Sequence, residues 1–534
     1  MGIPSYFSYI VKNHSEIIKK ISNGDKNKDK DFNVNNLYLD CNSIIYDVIH
    51  SLNKSNTNEP NFEVVISLLC DKIDKYILDI KPDNNIFIAF DGVAPVAKLE
   101  QQRTRRYKSV YINNISKSIF GDTKPDTWNT TFITPGTIFM KKLNESIRKK
   151  YSNPKDFNVN RIILSPSDKF GEGEHKIFEF IRTFSKDHKS QNTVIYGLDA
   201  DLIMLCINHL NICPNIYLFR ETPEFIKSIN SELEPNENYI LDIPQLAKII
   251  TLNMNNGTSD NYTNKIYDYI FMCFFLGNDF MPHFPSINIR TGGIDKMLNA
   301  YKAVIGDKNE YLTDGNKIYW KNVRKLVQHL ASLEEEYLKN ETKLRDKRSK
   351  YIIPDTTPEE KYKKFDLIPN YDRSIEKSIN PFKHNWQNRY YKYLFNLEIN
   401  ENHKKEICIN YLEGLEWTMK YYTTGCPNWR WCYNYNYPPL LSDLIHHIPY
   451  FEKDLVIYKT PNPVTEIVQL SYVLPKQSLH LLPEQIYNKL LNKRSEWYKS
   501  DCNFIWAYCR YFWESHVDLP DINIDELETF LMTN

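Results

Sequence analysis

Seven acidic residues in this chain stand where several of their kind could share one site. Leu37-Tyr38-Leu39 leads into Asp40, Ile86 to Phe90 leads into Asp91, and Val194 to Leu198 leads into Asp199, with Asp201 two residues on. Phe271 to Leu276 leads into Gly277-Asn278-Asp279, a run readable as strand or helix, and Glu172 and Glu174 stand in Gly171-Glu172-Gly173-Glu174-His175. Apolar strands that end in a carboxylate bring those acids to one edge when they pair in parallel, and that edge is where such sheets bind ligands. Carboxylates gathered there repel one another and raise each other's pKa. Hard cations with oxygen ligands relieve the repulsion, which points to Mg²⁺ or Mn²⁺. Two such ions about 3.5–4 Å apart can activate a water and stabilise the leaving oxygen of a phosphodiester. Taken singly, each acid has a plainer reading: Asp199 or Asp201 can simply cap a helix over 202–207. Gly92, Gly171, Gly173, Gly197 and Gly277 lie beside the acids, where a tight turn permits close approach.

A basic group follows one acid closely. After Asp91 the chain reads Gly92-Val93-Ala94-Pro95-Val96-Ala97-Lys98-Leu99-Glu100-Gln101-Gln102-Arg103-Thr104-Arg105-Arg106. At helical spacing Lys98, Gln102, Arg105 and Arg106 share one face. A solvated helix face is the bland reading. Three cations and an amide beside an acidic strand end also suit a terminal phosphate, which arginine grips bidentately and lysine holds as a point charge.

The elements that must position these groups follow from the pattern. Strands are expected at Asn36–Leu39, Ile86–Phe90, Arg161–Leu164, Thr193–Tyr196 and Asn215–Phe219, and helices at Phe62–Ile80 and Lys176–Phe184. This alternation predicts an α/β region over residues 1–305 with a mainly parallel central sheet flanked by helices. Residues 306–384 read as a charged helical segment and linker, with Glu334-Glu335-Glu336 and Lys343 to Lys350 on a solvated helix and Pro354 to Lys364 as a surface connector. Residues 385–534 read as an aromatic-rich, mostly helical region packed on the first and completing the site.

Composition sets the limits. Of 534 residues, 42% are apolar, enough for a large core, while 67 Lys+Arg balance 67 Asp+Glu, so any polyanion affinity must come from local clusters. Ten cysteines contain no CxxC pair, which leaves a zinc finger unsupported and favours free thiols in a reducing compartment. No secretory signal or membrane-length apolar stretch is visible. The chain reads as soluble and intracellular, cytoplasmic rather than nuclear, without membrane association and monomeric.

These stretches resemble the XRN-type 5′→3′ exoribonucleases. The likeness runs from Met1-Gly2-Ile3-Pro4 and Leu39-Asp40-Cys41-Asn42 through Phe90 to Arg106, Ile133-Thr134-Pro135-Gly136-Thr137, Gly171 to Ile177, Tyr196 to Leu205 and Leu276 to His283. It continues in Glu413-Gly414-Leu415-Glu416-Trp417, Gly425-Cys426-Pro427-Asn428-Trp429 and Leu519 to Ile524. The resemblance implies a nuclease core of the flap-endonuclease or PIN-like type. It also implies a single-stranded RNA substrate with a 5′-monophosphate and release of nucleoside monophosphates. Asp40, Asp91, Glu172, Glu174, Asp199, Asp201 and Asp279 would be the catalytic, metal-binding carboxylates, holding two Mg²⁺ or Mn²⁺ ions. Lys98, Gln102, Arg105 and Arg106 would bind the 5′-phosphate, and Tyr46 and Trp417 would stack on bases. A core tryptophan is the plainer reading of Trp417. The chain departs from the pattern at Tyr46, where the family usually has His, and at Phe170, where it has Pro. The short insertion between Arg106 and Thr134 and the end at residue 534 fit a compact, catalytic-core form. A structure-selective 5′ DNA nuclease and a catalytically silent RNA-binding protein on the same fold are the alternatives.

Overall fold

The computed structural model describes residues 2–21, 33–54, 61–121, 128–254, 262–306, 308, 310–397 and 400–533. Met1 of the amino-terminal motif, and residues 122–127 of the insertion, lie outside them.

The first region is built on one sheet. Its strands are β1 (Ile18–Lys20), β2 (Asn36–Asp40), β3 (Asn85–Ala89), β4 (Arg161–Ser165), β5 (Thr193–Tyr196), β6 (Ile216–Glu221) and β7 (Asn238–Asp242), in the order β1-β7-β6-β5-β2-β3-β4. β2 to β6 pair in parallel, as expected from the apolar runs, while β7 and β1 add an antiparallel edge that the sequence pattern did not reveal. The chain lays β2, β3 and β4 outward in one direction and then returns to β2's other side with β5 and β6. The direction therefore reverses between β2 and β5, the crevice at which open α/β sheets hold their ligands.

Strand periodicity assigns each face. Leu37, Leu39, Ile86, Ile88, Val194 and Tyr196 pack into one core with the helix Phe62–Ile80 and the helix Ile138–Lys150. Tyr38, Phe87 and Ile195 point the other way, into a larger core with the helices Gly173–Thr183, Asp201–Asn208 and Ile243–Met254. Both faces are covered, which is why these strands read as unbroken apolar runs. The same larger core takes in Leu415, Trp417, Tyr421 and Tyr422 from the helix Glu401–Thr423, so the second region does pack on the first.

Two readings of the middle segment hold only in part. Glu335, Glu336, Lys343 and Lys347 are exposed on the helix Trp320–Arg348, as expected, yet Glu334 and Arg345 on the same helix are buried. Glu334 accepts backbone N–H bonds from Leu441 (2.8 Å) and Ser442 (3.1 Å), and Arg345 pairs with Glu376 (2.6 Å). A charged stripe is solvated only when nothing with matching donors packs on it. The Pro354–Lys364 stretch is on the surface, but Pro358–Asp366 is a helix, with Pro358 at its start and a capping box between Thr357 and Glu360. Near the carboxyl end, β8 (Asn503–Ile505) and β9 (His516–Asp518) form a small antiparallel pair within the otherwise helical region. Among the described residues no helix is long and apolar enough to cross a membrane.

Candidate active site

Parallel register brings the strand ends level, with Asp40 opposite Ala89 and Leu39 opposite Tyr196. Asp40 closes β2, Asp91 lies two residues past β3, and Asp199 three past β5. The Asp91 carboxylate is fixed from both sides: it accepts from Asn42 Nδ2 (2.7 Å) and from the Gly173 N–H (2.7 Å). The Asp91 N–H in turn donates to Asn42 Oδ1 (3.1 Å). Gly173 opens a helix whose amino end points at the acids, a favourable place for negative charge. A side chain there would collide, since a Cβ would lie 2.6 Å from Asp40 Oδ1.

Glu172 immediately precedes that helix and Glu174 is in its first turn, as expected. The capping explanation for Asp199 and Asp201 does not hold, because the helix Asp201–Asn208 takes Ala200 as its cap with no side-chain bond. Asp279 arrives differently from the strand-end acids. The helix Tyr262–Cys273 tightens into a 3₁₀ turn over Phe274–Leu276 and breaks at Gly277, whose φ is +84°. Asn278 then accepts from the N–H groups of Phe280 and Met281 (2.9 Å each), which turns Asp279 toward the others. The Gly2 N–H donates to Asp279 Oδ1 (3.0 Å).

The electrostatics are those of acids crowded out of water. Burial, then the charges of Asp91 and Asp199, push the Asp40 carboxyl well above the usual range. Burial and Glu172 do the same to Glu174, and burial with Asp279 pushes Asp201 up to about 7. Asp40 Oδ1, Glu174 Oε2 and Asp201 Oδ1 are buried without a hydrogen-bond donor. Converging, buried, donor-free carboxylate oxygens are the ligand set a hard divalent cation takes, so this acidic cluster can hold a metal ion. His175, whose ring burial keeps neutral, brings a further ligand atom within 4.8 Å of Glu172 and Glu174.

Lys98 sits among the acids. Its Nζ is 2.6 Å from Glu172 Oε2 and 2.7 Å from Asp279 Oδ2. Asp279, although buried, is held below the usual carboxylate range by that ammonium. Lys98 therefore bridges the acidic cluster and the cationic face of the helix Val96–Phe120. Gln102, Arg105 and Arg106 line the same cavity of about 390 Å³ as Asp40, Asp91, Glu172, Glu174 and Asp199. Arg106 donates from Nη2 to Thr134 Oγ1 (2.6 Å), while its Nη1 and the Gln102 carbonyl are buried without partners. Burial lowers the Arg106 pKa to about 10, so its charge persists at neutral pH.

The two aromatic candidates part company. Tyr46 lines the cavity and is 38% exposed. Trp417 is fully buried: its ring stacks on Trp431 (5.2 Å, 25° between planes), meets the Phe280 ring at 5.0 Å, and donates from Nε1 to the Asn428 carbonyl (2.8 Å). It supports the wall from within and presents no surface to a base.

Sequence reasoning missed Asn42, although it lies two residues after Asp40. It also missed Tyr421, whose hydroxyl donates to Glu172 Oε1 (2.8 Å) from 249 residues away and whose ring stacks on His175 at 3.6 Å. Local pattern carries no signal for such a partner.

Comparison with known sequences places the chain in a family. A profile described as "XRN 5'-3' exonuclease N-terminus" matches residues 1–222, and one described as "Xrn1 helical domain" matches residues 260–370 and 360–532. The chain is 26% identical to the 5'-3' exoribonuclease 2 of Arabidopsis thaliana, over 97% of this chain and 66% of that one. It is 29% identical to the 5'-3' exoribonuclease 1 of Saccharomyces cerevisiae, over 90% of this chain and 40% of that one. For the 5'-3' exoribonuclease 1 of Schizosaccharomyces pombe the identity is 28%, over 93% of this chain and 45% of the relative. The chain thus spans between 40% and 66% of the length of the first two relatives.

Proposed function

The chain belongs to the XRN family of 5′→3′ exonucleases, and from that premise we propose that it removes nucleotides successively from the 5′-monophosphorylated end of single-stranded RNA. The observation that carries this reading is one cavity lined by both Asp40, Asp91, Glu172, Glu174 and Asp199 and by Lys98, Gln102, Arg105 and Arg106. An acidic site alone fits many nucleases. A cationic wall beside it fits one that starts from a terminal phosphate.

Arg105 and Arg106 grip the 5′-phosphate oxygens, Gln102 adds an amide donor, and Lys98 ties that phosphate to the acids. With the terminal nucleotide so fixed, the next phosphodiester lies over the carboxylates. Asp40, Asp91, Glu172, Glu174, Asp199, Asp201 and Asp279 would hold Mg²⁺ or Mn²⁺, two ions in this reading. When bound, the ions lower the pKa of a water and offset charge on the leaving oxygen. The water oxygen bonds to phosphorus, the bond from phosphorus to the 3′-oxygen breaks, and that oxygen takes a proton. A nucleoside 5′-monophosphate departs. The shortened strand carries a new 5′-phosphate, so the cycle repeats. A cap or triphosphate overfills the end wall, and a 5′-hydroxyl leaves its cations unpaired.

The test uses 3′-labelled single-stranded RNA ending in a 5′-monophosphate, hydroxyl or triphosphate, with matched DNA and an EDTA control. The expected result is EDTA-sensitive loss of the monophosphorylated RNA alone. Arg105→Ala with Arg106→Ala should reduce the monophosphate-over-hydroxyl preference by about 10- to 150-fold, as a net loss of about 1.5–3 kcal/mol of charge-assisted bonding implies. Equal cutting of all ends overturns the terminal-phosphate reading. Faster cutting of DNA supports the structure-selective DNA nuclease, and binding without cutting supports the silent RNA-binding protein.

A further inference from the structure

The helix Asn42–Lys54 borders the cavity through Asn42, Ser43, Tyr46, Asp47 and His50. Their spacing of three and four residues sets them on one face, while Ile44, Ile45, Val48 and Ile49 are buried on the other. Most of the lining face is already engaged. Asn42 holds Asp91, the Ser43 hydroxyl donates to the Asp40 carbonyl (3.1 Å), and Asp47 pairs with Lys72, which also reaches Glu221 at 3.1 Å. Tyr46 and His50 differ: both are exposed, and neither ring hydrogen-bonds another side chain among the described residues.

We propose that His50 is a second base-contacting residue, so that the strand is read over two unpaired nucleotides, the first against Tyr46 and the next against His50. The proposal rests on the exonuclease reading of the cavity and extends it outward. Tyr46 and His50 are four residues apart on one helix face, about 6 Å of rise at ~1.5 Å per residue. That exceeds one stacking repeat of about 3.4 Å and stays below two, which suits contact with consecutive bases. The alternative occupant of the position, a backbone phosphate, is disfavoured because the Asp47 carboxylate lines the same stretch of the cavity as Tyr46 and His50. A base offers an uncharged face, and aromatic contacts with bases tolerate any sequence, as an enzyme that digests whole strands requires.

The experiment is a chemical double-mutant cycle with the full chain, Mg²⁺ and 5′-monophosphorylated RNA, either intact or with an abasic ribose at the second nucleotide. Release of the first nucleotide is followed under single-turnover conditions. Removing the second base should raise the half-saturating concentration of the unaltered chain about 10-fold, within the range for one stacked base. His50→Ala should do the same with intact RNA, and the two changes together should add little more. His50→Phe should restore tight binding of intact RNA. Fully additive effects, or no rescue by Phe, overturn the inference while leaving the exonuclease reading standing. No release of nucleotide from intact RNA by the unaltered chain overturns both.

Discussion

Buried carboxylates occur in both halves of this molecule and are treated in opposite ways. In the second half Glu334, Glu376 and Glu416 are satisfied by donors, Glu416 by Lys420 (2.6 Å) and the Leu455 N–H (2.7 Å). Glu376 takes both Arg345 nitrogens (2.6 and 2.9 Å), Arg373 (2.6 Å) and the Tyr508 N–H (2.8 Å), and Glu334 takes two backbone N–H groups. Asp268, on the helix Tyr262–Cys273, takes the Tyr301 hydroxyl and the N–H groups of Leu312 and Thr313. Along the carboxyl edge of the sheet, Asp40, Glu174 and Asp201 each keep a buried oxygen with no donor. Three such oxygens on one edge form a cluster that can take an external cation. The donor-satisfied acids hold elements together, whereas the unsatisfied ones oppose folding and, in the proposed reading, serve chemistry.

That contrast breaks most visibly if neutral isosteres are placed at the sheet edge. Asp40→Asn with Glu174→Gln keeps the volumes, including the close fit at Gly173, and removes two charges whose pKa values burial and mutual repulsion have raised. RNA cleavage should fall by about a thousandfold or more, on the order of 4 kcal/mol or above in the barrier. The melting temperature in EDTA should stay level or rise, because a raised folded-state pKa means that the charged form resists folding. A marked fall in melting temperature would show that these acids are structural, and cleavage near the original rate would remove them from the chemistry.

The two kinds of acid are unequally legible in the sequence, for a physical reason. Asp40, Asp91 and Asp199 were legible because a strand-end acid is a local pattern and parallel pairing carries it to a shared edge. Asp279 was recognisable as an acid after an apolar run, but its route to the site runs through a helix and a glycine break. Glu334 was misjudged: Glu334-Glu335-Glu336 looks like a solvated stripe, and the N–H groups that bury its first member belong to residues 107 and 108 positions away. Trp417 is open in the sequence between a core and a stacking role, since only the fold shows that Trp431 covers its ring. The edge strands β1 and β7 escaped notice because β1 spans only three residues and β7 alternates buried and half-exposed positions.

A somewhat smaller effect is expected in the second half. Glu376→Ala leaves Arg345 and Arg373 buried beside a lost partner, with Asp346 (2.6 Å from Arg373) and Glu341, whose charge acts on Arg345, as remaining counter-charges. Breaking a buried pair from one side costs about 3–5 kcal/mol, so the denaturation midpoint should drop accordingly. Cleavage per folded molecule should be unchanged, the reverse of the sheet-edge outcome. If activity falls while the midpoint holds, the division between saturated and unsatisfied acids fails.

The smallest effect concerns how complete saturation is. Burial pushes Glu334 up to about 7 despite its two backbone donors, against an ordinary value of 4.5. Between those values the folded chain keeps a proton that the unfolded chain releases. Stability from this group is thus fully present below about 4.5 and declines as pH rises through about 7. Glu334→Gln cannot titrate, so it removes this slope, although its amide meets one of the two N–H groups poorly and lowers stability at every pH. The quantity to follow is therefore the difference in unfolding free energy between the original chain and the variant. It should shrink by about 2–3 kcal/mol between pH 5 and pH 8, a ceiling set by about 1.4 kcal/mol for each pKa unit. A difference that grows with pH would mean that the Leu441 and Ser442 donors stabilise the carboxylate more than burial penalises it. In that case Glu334 would be a fully solvated charge in energetic terms, with protein N–H groups in place of water, and the contrast with the donor-free oxygens of Asp40 and Glu174 would become sharper still.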